Sequence, residues 1–162
     1  MRKKEWKALL LSVCVGLLLV SCGSAEKEQP AEFSVELVQD LADAGAFSEE
    51  LEPLDGDTAF ALYRLGDYGL EREALTDCAV LRSSGATCEE AAVLQLELDS
   101  EEDAQQVEQA LKDYLQSQID SNRGYRPMEI PKLEDALVER QGNSFLLVVA
   151  NDLSVVQSVL ET

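Results

Sequence analysis

The sequence predicts an α+β fold with an antiparallel four-stranded sheet and helices packed on one face of it. Two stretches with the pattern of strand pairs are each followed by a helical pattern, and two helical segments precede them. The predicted order is therefore helix, short helix, then strand-strand-helix twice. Hairpins joined to helices in this order are typical of an antiparallel sheet that buries one face under its helices.

The first part of this prediction contains two helices and one hairpin. Apolar residues in 35–44 recur on one stripe, which predicts a helix, whereas 57–65 fits either a short helix capped by Asp57 or an alternating strand, with the helix favoured. Residues 76–82 and 90–98 are expected to be strands, the second because its apolar residues alternate. The turn between them has Gly85 at the position that needs a positive φ.

The longest helical pattern of the chain completes the first strand-strand-helix unit, and the second unit follows it. Ser100 can cap a helix over 101–121. The first turn contains three acidic residues, and the positive end of the helix dipole favours negative charge there. Residues 135–140 and 144–150 are expected to be strands, the second a continuous apolar run suited to the centre of a sheet. An apolar stripe predicts a last helix over 153–161.

Residues 1–21 have the composition of a secretory signal peptide. Basic residues precede an apolar run of thirteen residues over 8–20, which is too short for a helix to cross a hydrocarbon core of about 30 Å. The Leu-Val-Ser-Cys that follows resembles the lipobox of bacterial lipoproteins. This resemblance implies cleavage before Cys22 and a diacylglyceryl membrane anchor on its thiol, with acyl chains such as palmitate. Ordinary secretory cleavage is the alternative. Lipidated Cys22 and a flexible tether then occupy 22–32, and a single domain occupies 33–162.

The chain is strongly acidic and contains no histidine. Its net charge is −19, and because the signal holds four of the 13 Lys and Arg residues and one of the 32 Asp and Glu residues, the mature chain would carry −22. This charge argues against nucleic acid as a partner and against a domain that lies flat on anionic lipid. The lack of histidine excludes Ser/His and Cys/His nucleophile pairs. We therefore predict no catalytic residues, no cofactor and no metal site.

Two cysteines of the predicted domain are a candidate disulfide. After export, Cys78 and Cys88 would lie in a space where disulfides persist. A symmetric turn over 83–87, however, places Cys88 opposite about residue 82, which is too far from Cys78 for a bridge unless there is a bulge or a shifted strand register. The pair therefore has two interpretations, a disulfide or two partly buried thiols.

The loop after the long helix is a candidate binding site. Arg123, Tyr125 and Arg126 place two cations beside an aromatic residue, and Pro127 limits the freedom of the loop. Arginine together with an aromatic residue is enriched in interface hot spots, which favours a binding loop for an anionic or peptide ligand. The alternative is structural: Tyr125 packs on the edge of the core and both arginines pair with the acidic surface.

The order of several short motifs resembles a known family. The motifs are Leu62-Tyr63, Tyr68-Gly69-Leu70-Glu71, Ser83-Ser84-Gly85-Ala86-Thr87-x-Glu89-Glu90-Ala91-Ala92-Val93, a long helix ending in Gln118, Tyr125-x-Pro127 and the closing apolar strand. Spread over most of 35–161, they are similar to a family of lipoproteins with a domain of unknown function, found mainly in clostridia and other Firmicutes. The resemblance implies a Gram-positive envelope and brings no catalytic residues. Cys78 and Cys88 are outside its pattern.

These features predict a lipoprotein anchored at the outer, extracytoplasmic face of the cell membrane. The favoured role is a non-enzymatic binding or protein-interaction module that recognises an envelope protein or peptide. The alternative is a carboxylate-dependent hydrolase of the cell envelope. Two carboxylates that face each other across a deep cleft, one of them with a raised pKa, would favour the enzyme. An exposed apolar patch would favour the binding module.

Overall fold

A computed structural model describes residues 31–162, which form an open antiparallel sheet flanked by helices. The strands are β1 (Glu52–Leu54), β2 (Leu75–Arg82), β3 (Glu90–Leu96), β4 (Leu137–Gln141) and β5 (Ser144–Val149). Across the sheet they follow the order β1-β2-β3-β5-β4, and each neighbouring pair is antiparallel. The predicted signal peptide over 1–21, the lipidation site Cys22 and nearly all of the tether lie outside the described residues.

Helices cover both faces of the sheet. In residues 31–162 the α-helices are α1 (Leu37–Asp43), α2 (Gly56–Leu62), α3 (Glu101–Asn122), α4 (Ile130–Glu134) and α5 (Leu153–Leu160). On one face α2, α3 and α4 pack over one apolar cluster, and on the other face α1 and α5 pack over a second cluster. The prediction of a mixed fold with an antiparallel sheet and helices is confirmed. The predictions of four strands and of helices on one face are wrong.

The composition of the two central strands explains why both faces are covered. In β3, Ala92 and Leu94 face the α3 side while Ala91 and Val93 face the α1 side, and all four are fully buried. Every residue of β5 is buried as well. A strand with apolar residues at consecutive positions has apolar side chains on both faces, and leaving either face in water costs free energy. The alternation in 90–98 was a weaker signal than this unbroken apolar run.

Two elements, β1 and α4, correspond to nothing predicted from the sequence. β1 has only three residues, too few for an alternating pattern, and Pro53 at its centre suits an edge strand because proline has no N–H to donate. α4 lies between the predicted helix over 101–121 and the predicted strand over 135–140, where Pro127 and Pro131 are typical of a loop. Pro131, however, occupies the first turn of α4, where a backbone N–H would have no partner within the helix.

The other predicted elements are confirmed within a few residues of their bounds. The ambiguous segment 57–65 is helical. The cap of α2 is Asp55 and not the predicted Asp57, which lies in the first turn; Asp55 accepts a hydrogen bond from the backbone N–H of Thr58 at 2.9 Å. Ser100 caps α3 in the same way through the N–H of Asp103 at 3.1 Å. The predicted apolar face of α3 is buried, including Val107, Leu111 and Leu115. Within residues 31–162, no helix combines the length and the apolar composition that crossing a membrane requires.

Candidate functional site

The loop that follows α3 exposes the two most accessible large apolar side chains of the described region. Tyr125 is 82% exposed and Met128 is 84% exposed. Arg123 also extends into solvent, where one of its terminal nitrogens lies 4.0 Å from a carboxylate oxygen of Asp120. Tyr125 therefore does not pack against the core, as the structural alternative would require. We call residues 123–128 the Tyr125 loop.

Arg126 fixes this loop to the β2–β3 turn. Its Nε donates to Asn122 Oδ1 at 2.9 Å, and its Nη1 donates to the backbone oxygens of Gly85 at 2.7 Å and Thr87 at 3.0 Å. The guanidinium also lies 5.8 Å from the ring centre of Tyr125. Arg126 is thus occupied by internal acceptors and holds the exposed aromatic ring in place, while Arg123 points elsewhere. None of residues 123–128 lines the cleft between α2 and α3 or the two clefts beside α1.

Cys78 and Cys88 are both free, half-buried thiols in this structure. The register of the β2–β3 hairpin explains why, because Cys78 pairs with Leu94 and Arg82 pairs with Glu90. Cys88 lies six residues before Leu94, so the two thiols are separated by about 20 Å along the ladder. A disulfide needs Cα atoms within about 7 Å. Neither a bulge nor a register shift interrupts the pairing of 78–82 with 90–94, so the thiol interpretation fits this structure.

A buried carboxylate at the start of β3 was missed by the sequence analysis. Glu90 is 2% exposed and accepts three hydrogen bonds, from Tyr63 Oη at 2.6 Å, Tyr114 Oη at 2.6 Å and Arg82 Nε at 2.9 Å. The rings of Tyr63 and Tyr114 meet edge to face with their centres 5.1 Å apart. We call these four residues the Glu90 cluster. It forms a polar unit inside the apolar layer between the sheet and α3.

Burial dominates the titration of this cluster. It raises the pKa of Glu90 above its ordinary value, although the hydrogen bonds from Tyr114 and Tyr63 and the charge of Arg82 oppose the rise. Burial and the nearby carboxylate also raise the pKa of both tyrosines, well above the usual value for Tyr63. Both hydroxyls therefore keep their protons and continue to donate to Glu90.

A second buried carboxylate, Glu89, points to different partners. It accepts hydrogen bonds from the backbone N–H of Ser48 at 2.7 Å, the hydroxyl of Ser48 at 2.5 Å and the ammonium group of Lys132 at 2.6 Å. Consecutive side chains of an extended segment point in opposite directions, so Glu89 and Glu90 do not share a site. Two adjacent glutamates in a sequence are usually solvated. The apolar run that starts at Ala91 was the signal that Glu90 begins a buried strand and that Glu89 directly precedes it.

A small cleft lies beside the Glu90 cluster, between α2 and α3. Its volume is about 60 Å³, and Tyr63, Tyr68 and Tyr114 are among the residues that line it, whereas Glu90 is not. At its rim the hydroxyl of Tyr68 donates to a carboxylate oxygen of Asp113 at 2.6 Å. The cleft is therefore a narrow recess between tyrosine rings. Groups of three or more potential metal ligands are not found among residues 31–162.

Comparison with known proteins identifies the family. The model of a family described as a domain of unknown function, DUF4358, matches residues 57–150, which is more than half of the chain. The chain belongs to this family. The predicted relation to a domain of unknown function is thereby confirmed. No curated protein and no solved structure matches the chain.

The DUF4358 match begins within α2 and ends just after β5. It includes the Glu90 cluster, both cysteines and the Tyr125 loop. It does not include α1, β1 or α5, which complete the sheet and cover its second face. The matched segment therefore holds one of the two apolar layers, and flanking residues supply half of the buried residues of the other.

Proposed function

We propose that the chain is a membrane-anchored lipoprotein at the extracytoplasmic face of a Gram-positive cell membrane. The support is the sequence that ends at Cys22: a basic start, an apolar run of thirteen residues and a lipobox-like Leu-Val-Ser-Cys. A distribution among clostridia and other Firmicutes belongs to the same proposal.

The anchored domain acts, in this proposal, as a non-enzymatic module that binds an envelope protein through the Tyr125 loop. One observation carries it: Tyr125 and Met128 are more than four-fifths exposed on a loop held in place by Arg126. Leaving two large apolar side chains in water costs free energy that a bound partner would recover. Because the loop is already fixed, binding loses little conformational entropy.

The position of the loop relative to the chain start supports this role. The backbone N–H of Phe33 donates to the hydroxyl of Ser144, and its carbonyl accepts from Gln95, so the described chain starts at that end of the central strands. The Tyr125 loop contacts the β2–β3 turn at the opposite end. The length of β3 separates the two ends by about 20 Å. An anchor at Cys22 would therefore leave Tyr125 at the end farther from the attachment point.

The alternative function, a carboxylate-dependent hydrolase, has one supporting observation. Burial raises the pKa of Glu90, as a general acid requires. Its two oxygens, however, already accept three internal hydrogen bonds, and Glu90 does not line the neighbouring cleft. Because a general acid must reach the atom that it protonates, we favour the binding module.

Two experiments test the two halves of the proposal. The Cys22→Ser variant should take up no labelled fatty acid and should accumulate as an uncleaved precursor. Lipid labelling and normal processing of that variant would refute the anchor.

For the binding surface, a photocrosslinking amino acid at position 125 in intact cells should yield a specific protein adduct. Gln141, exposed at the opposite end of the sheet, is the matched control position. Met128→Glu should weaken the adduct formed at 125, because it replaces an exposed apolar side chain of the Tyr125 loop by a charge. Identical adducts from 125 and 141, or no adduct from 125, would refute binding through this loop.

A further inference from the structure

An apolar trough runs beside α1, on the face of the sheet opposite to α3. It consists of two adjoining clefts of about 540 and 220 Å³ that share Gln39, Pro53 and Leu81. The larger cleft lies within the range of about 300–1,000 Å³ that is usual for ligand sites. We call this feature the α1 trough. Its main apolar residues are Val38, Ala42, Leu51, Pro53, Ala79 and Leu81.

The trough exists because α1 is too short to cover the sheet edge. α1 packs against β2 and β3, but its seven residues span only about 10 Å, whereas the eight residues of β2 span about 26 Å. Ala79 and Leu81 of β2 are consequently only half-buried, and Pro53 of β1 is exposed beside them. An apolar strip of the sheet is thus accessible from solvent on this face.

Carboxylates surround the larger cleft. Asp43, Glu49 and Glu50 line it, and neither cleft has a lysine or arginine among its lining residues. Glu49 is held in position by the hydroxyl groups of Ser83 at 2.6 Å and Thr87 at 2.7 Å, which lower its pKa and keep it ionised. The trough therefore combines an apolar floor with a negatively charged rim.

We propose that the α1 trough binds a cationic peptide segment of a partner protein that also carries apolar side chains. The floor accepts the apolar side chains, and the rim carboxylates pair with lysine or arginine. Pro53 lies in the middle of the edge strand and has no N–H, so the segment does not extend the sheet as a continuous strand. Recognition therefore depends on side chains. This site is distinct from the Tyr125 loop and does not depend on the lipid anchor.

The test uses the full chain in phosphatidylcholine nanodiscs and a fluorescent decapeptide of alternating lysine and leucine. Fluorescence anisotropy at physiological ionic strength measures binding, and empty nanodiscs give the background. At that ionic strength the Debye length is about 8 Å, so charges far from the trough contribute little. The control peptide alternates glutamate and leucine.

Three variants distinguish peptide binding in the trough from attraction to the overall negative charge of the protein. Asp43→Lys combined with Glu50→Lys reverses two exposed rim charges, and we expect binding to weaken on the order of tenfold. Ala42→Trp fills the trough without changing its charge and should weaken binding similarly. Glu139→Lys changes an exposed carboxylate on β4 and should leave binding unchanged. Circular dichroism checks that each variant is folded.

Binding of the lysine peptide that is reduced by the rim and trough variants, and not by Glu139→Lys, would support the proposal. Three results would overturn it. The first is equal binding of the glutamate peptide. The second is equal weakening by Glu139→Lys, which would indicate attraction to the whole acidic surface. The third is unchanged affinity in folded Ala42→Trp protein.

Discussion

The Glu90 cluster should make the stability cost of losing one of its hydroxyl groups depend on pH. Tyr114→Phe removes a single hydroxyl, which donates to Glu90 Oε2 at 2.6 Å, and leaves the ring in the core. A hydrogen bond to an ionised group contributes about 1.5–3 kcal/mol to the free energy of unfolding, and a bond between neutral groups about 0.5–1.5 kcal/mol. We therefore expect the substitution to cost about 2 kcal/mol when Glu90 is ionised and about 1 kcal/mol when it is protonated.

The direction of the pH dependence follows from the raised pKa of Glu90. In the folded protein Glu90 binds its proton over a pH range in which the unfolded chain has already released it. Its contribution to stability is therefore greatest below the ordinary pKa and falls as the pH rises through the folded pKa. The Tyr114 hydroxyl opposes this fall because it stabilises the ionised form. The cost of Tyr114→Phe should accordingly grow as the pH rises from about 4.5 to about 8.5.

Urea denaturation followed by circular dichroism at both pH values measures this difference. Tyr68→Phe is the matched control, because the Tyr68 hydroxyl donates to the exposed Asp113 at 2.6 Å. That bond and one from Gln109 lower the pKa of Asp113, so Asp113 stays ionised over the whole range and the effect of Tyr68→Phe should not vary. If Tyr114→Phe has the same cost at both pH values, Glu90 does not change its charge in this interval and the reasoning is wrong.

Two further substitutions test local features. Arg126→Ala should lower the free energy of unfolding by about 2 kcal/mol, because three acceptors lose a charged donor. Arg126→Lys should restore little of this stability because lysine lacks the planar, forked guanidinium group. Unchanged stability in urea would mean that Arg126 does not fix the loop to the β2–β3 turn. Arg64 has φ +55°, and Arg64→Gly should raise the unfolding free energy by up to about 1 kcal/mol by relieving this conformation. A decrease in the same assay would mean that the ion pair between Arg64 and Asp67 outweighs the strain.

Elements whose own residues determine their conformation could be predicted from the sequence. Ser100 caps α3 because its side chain reaches an N–H three residues later, which is a local contact. Gly85 has the predicted positive φ, at +131°, because the turn itself requires it. The apolar run of β5 indicated a central strand, and β5 lies between β3 and β4. In each case the conformation is determined by residues close together in the sequence, or by the composition of the segment alone.

Features that depend on distant residues were missed. Glu90 beside Glu89 has the sequence pattern of an exposed acidic pair, yet its hydroxyl donors Tyr63 and Tyr114 are 27 and 24 positions away. Nothing within one turn or strand of Glu90 indicates that two hydroxyls and a guanidinium will compensate for its burial. The candidate site in the Tyr125 loop was partly predicted, since the exposed aromatic ring depends on local residues, while the role of Arg126 depends on carbonyls about 40 positions earlier.

The register of the β2–β3 hairpin determines the structure of both candidate sites, the cysteine pair and the Tyr125 loop. Because Arg82 pairs with Glu90, the β2–β3 ladder ends before Cys88, and the segment between the strands forms a turn beyond the sheet. That register keeps Cys78 far from Cys88, which leaves both thiols free. It also presents the carbonyls of the turn to Arg126, which fixes the exposed ring of the Tyr125 loop. A register shift that brought the thiols together would move those carbonyls away from the guanidinium. A disulfide between Cys78 and Cys88 and a Tyr125 loop fixed by Arg126 are thus alternatives. This structure contains the fixed loop.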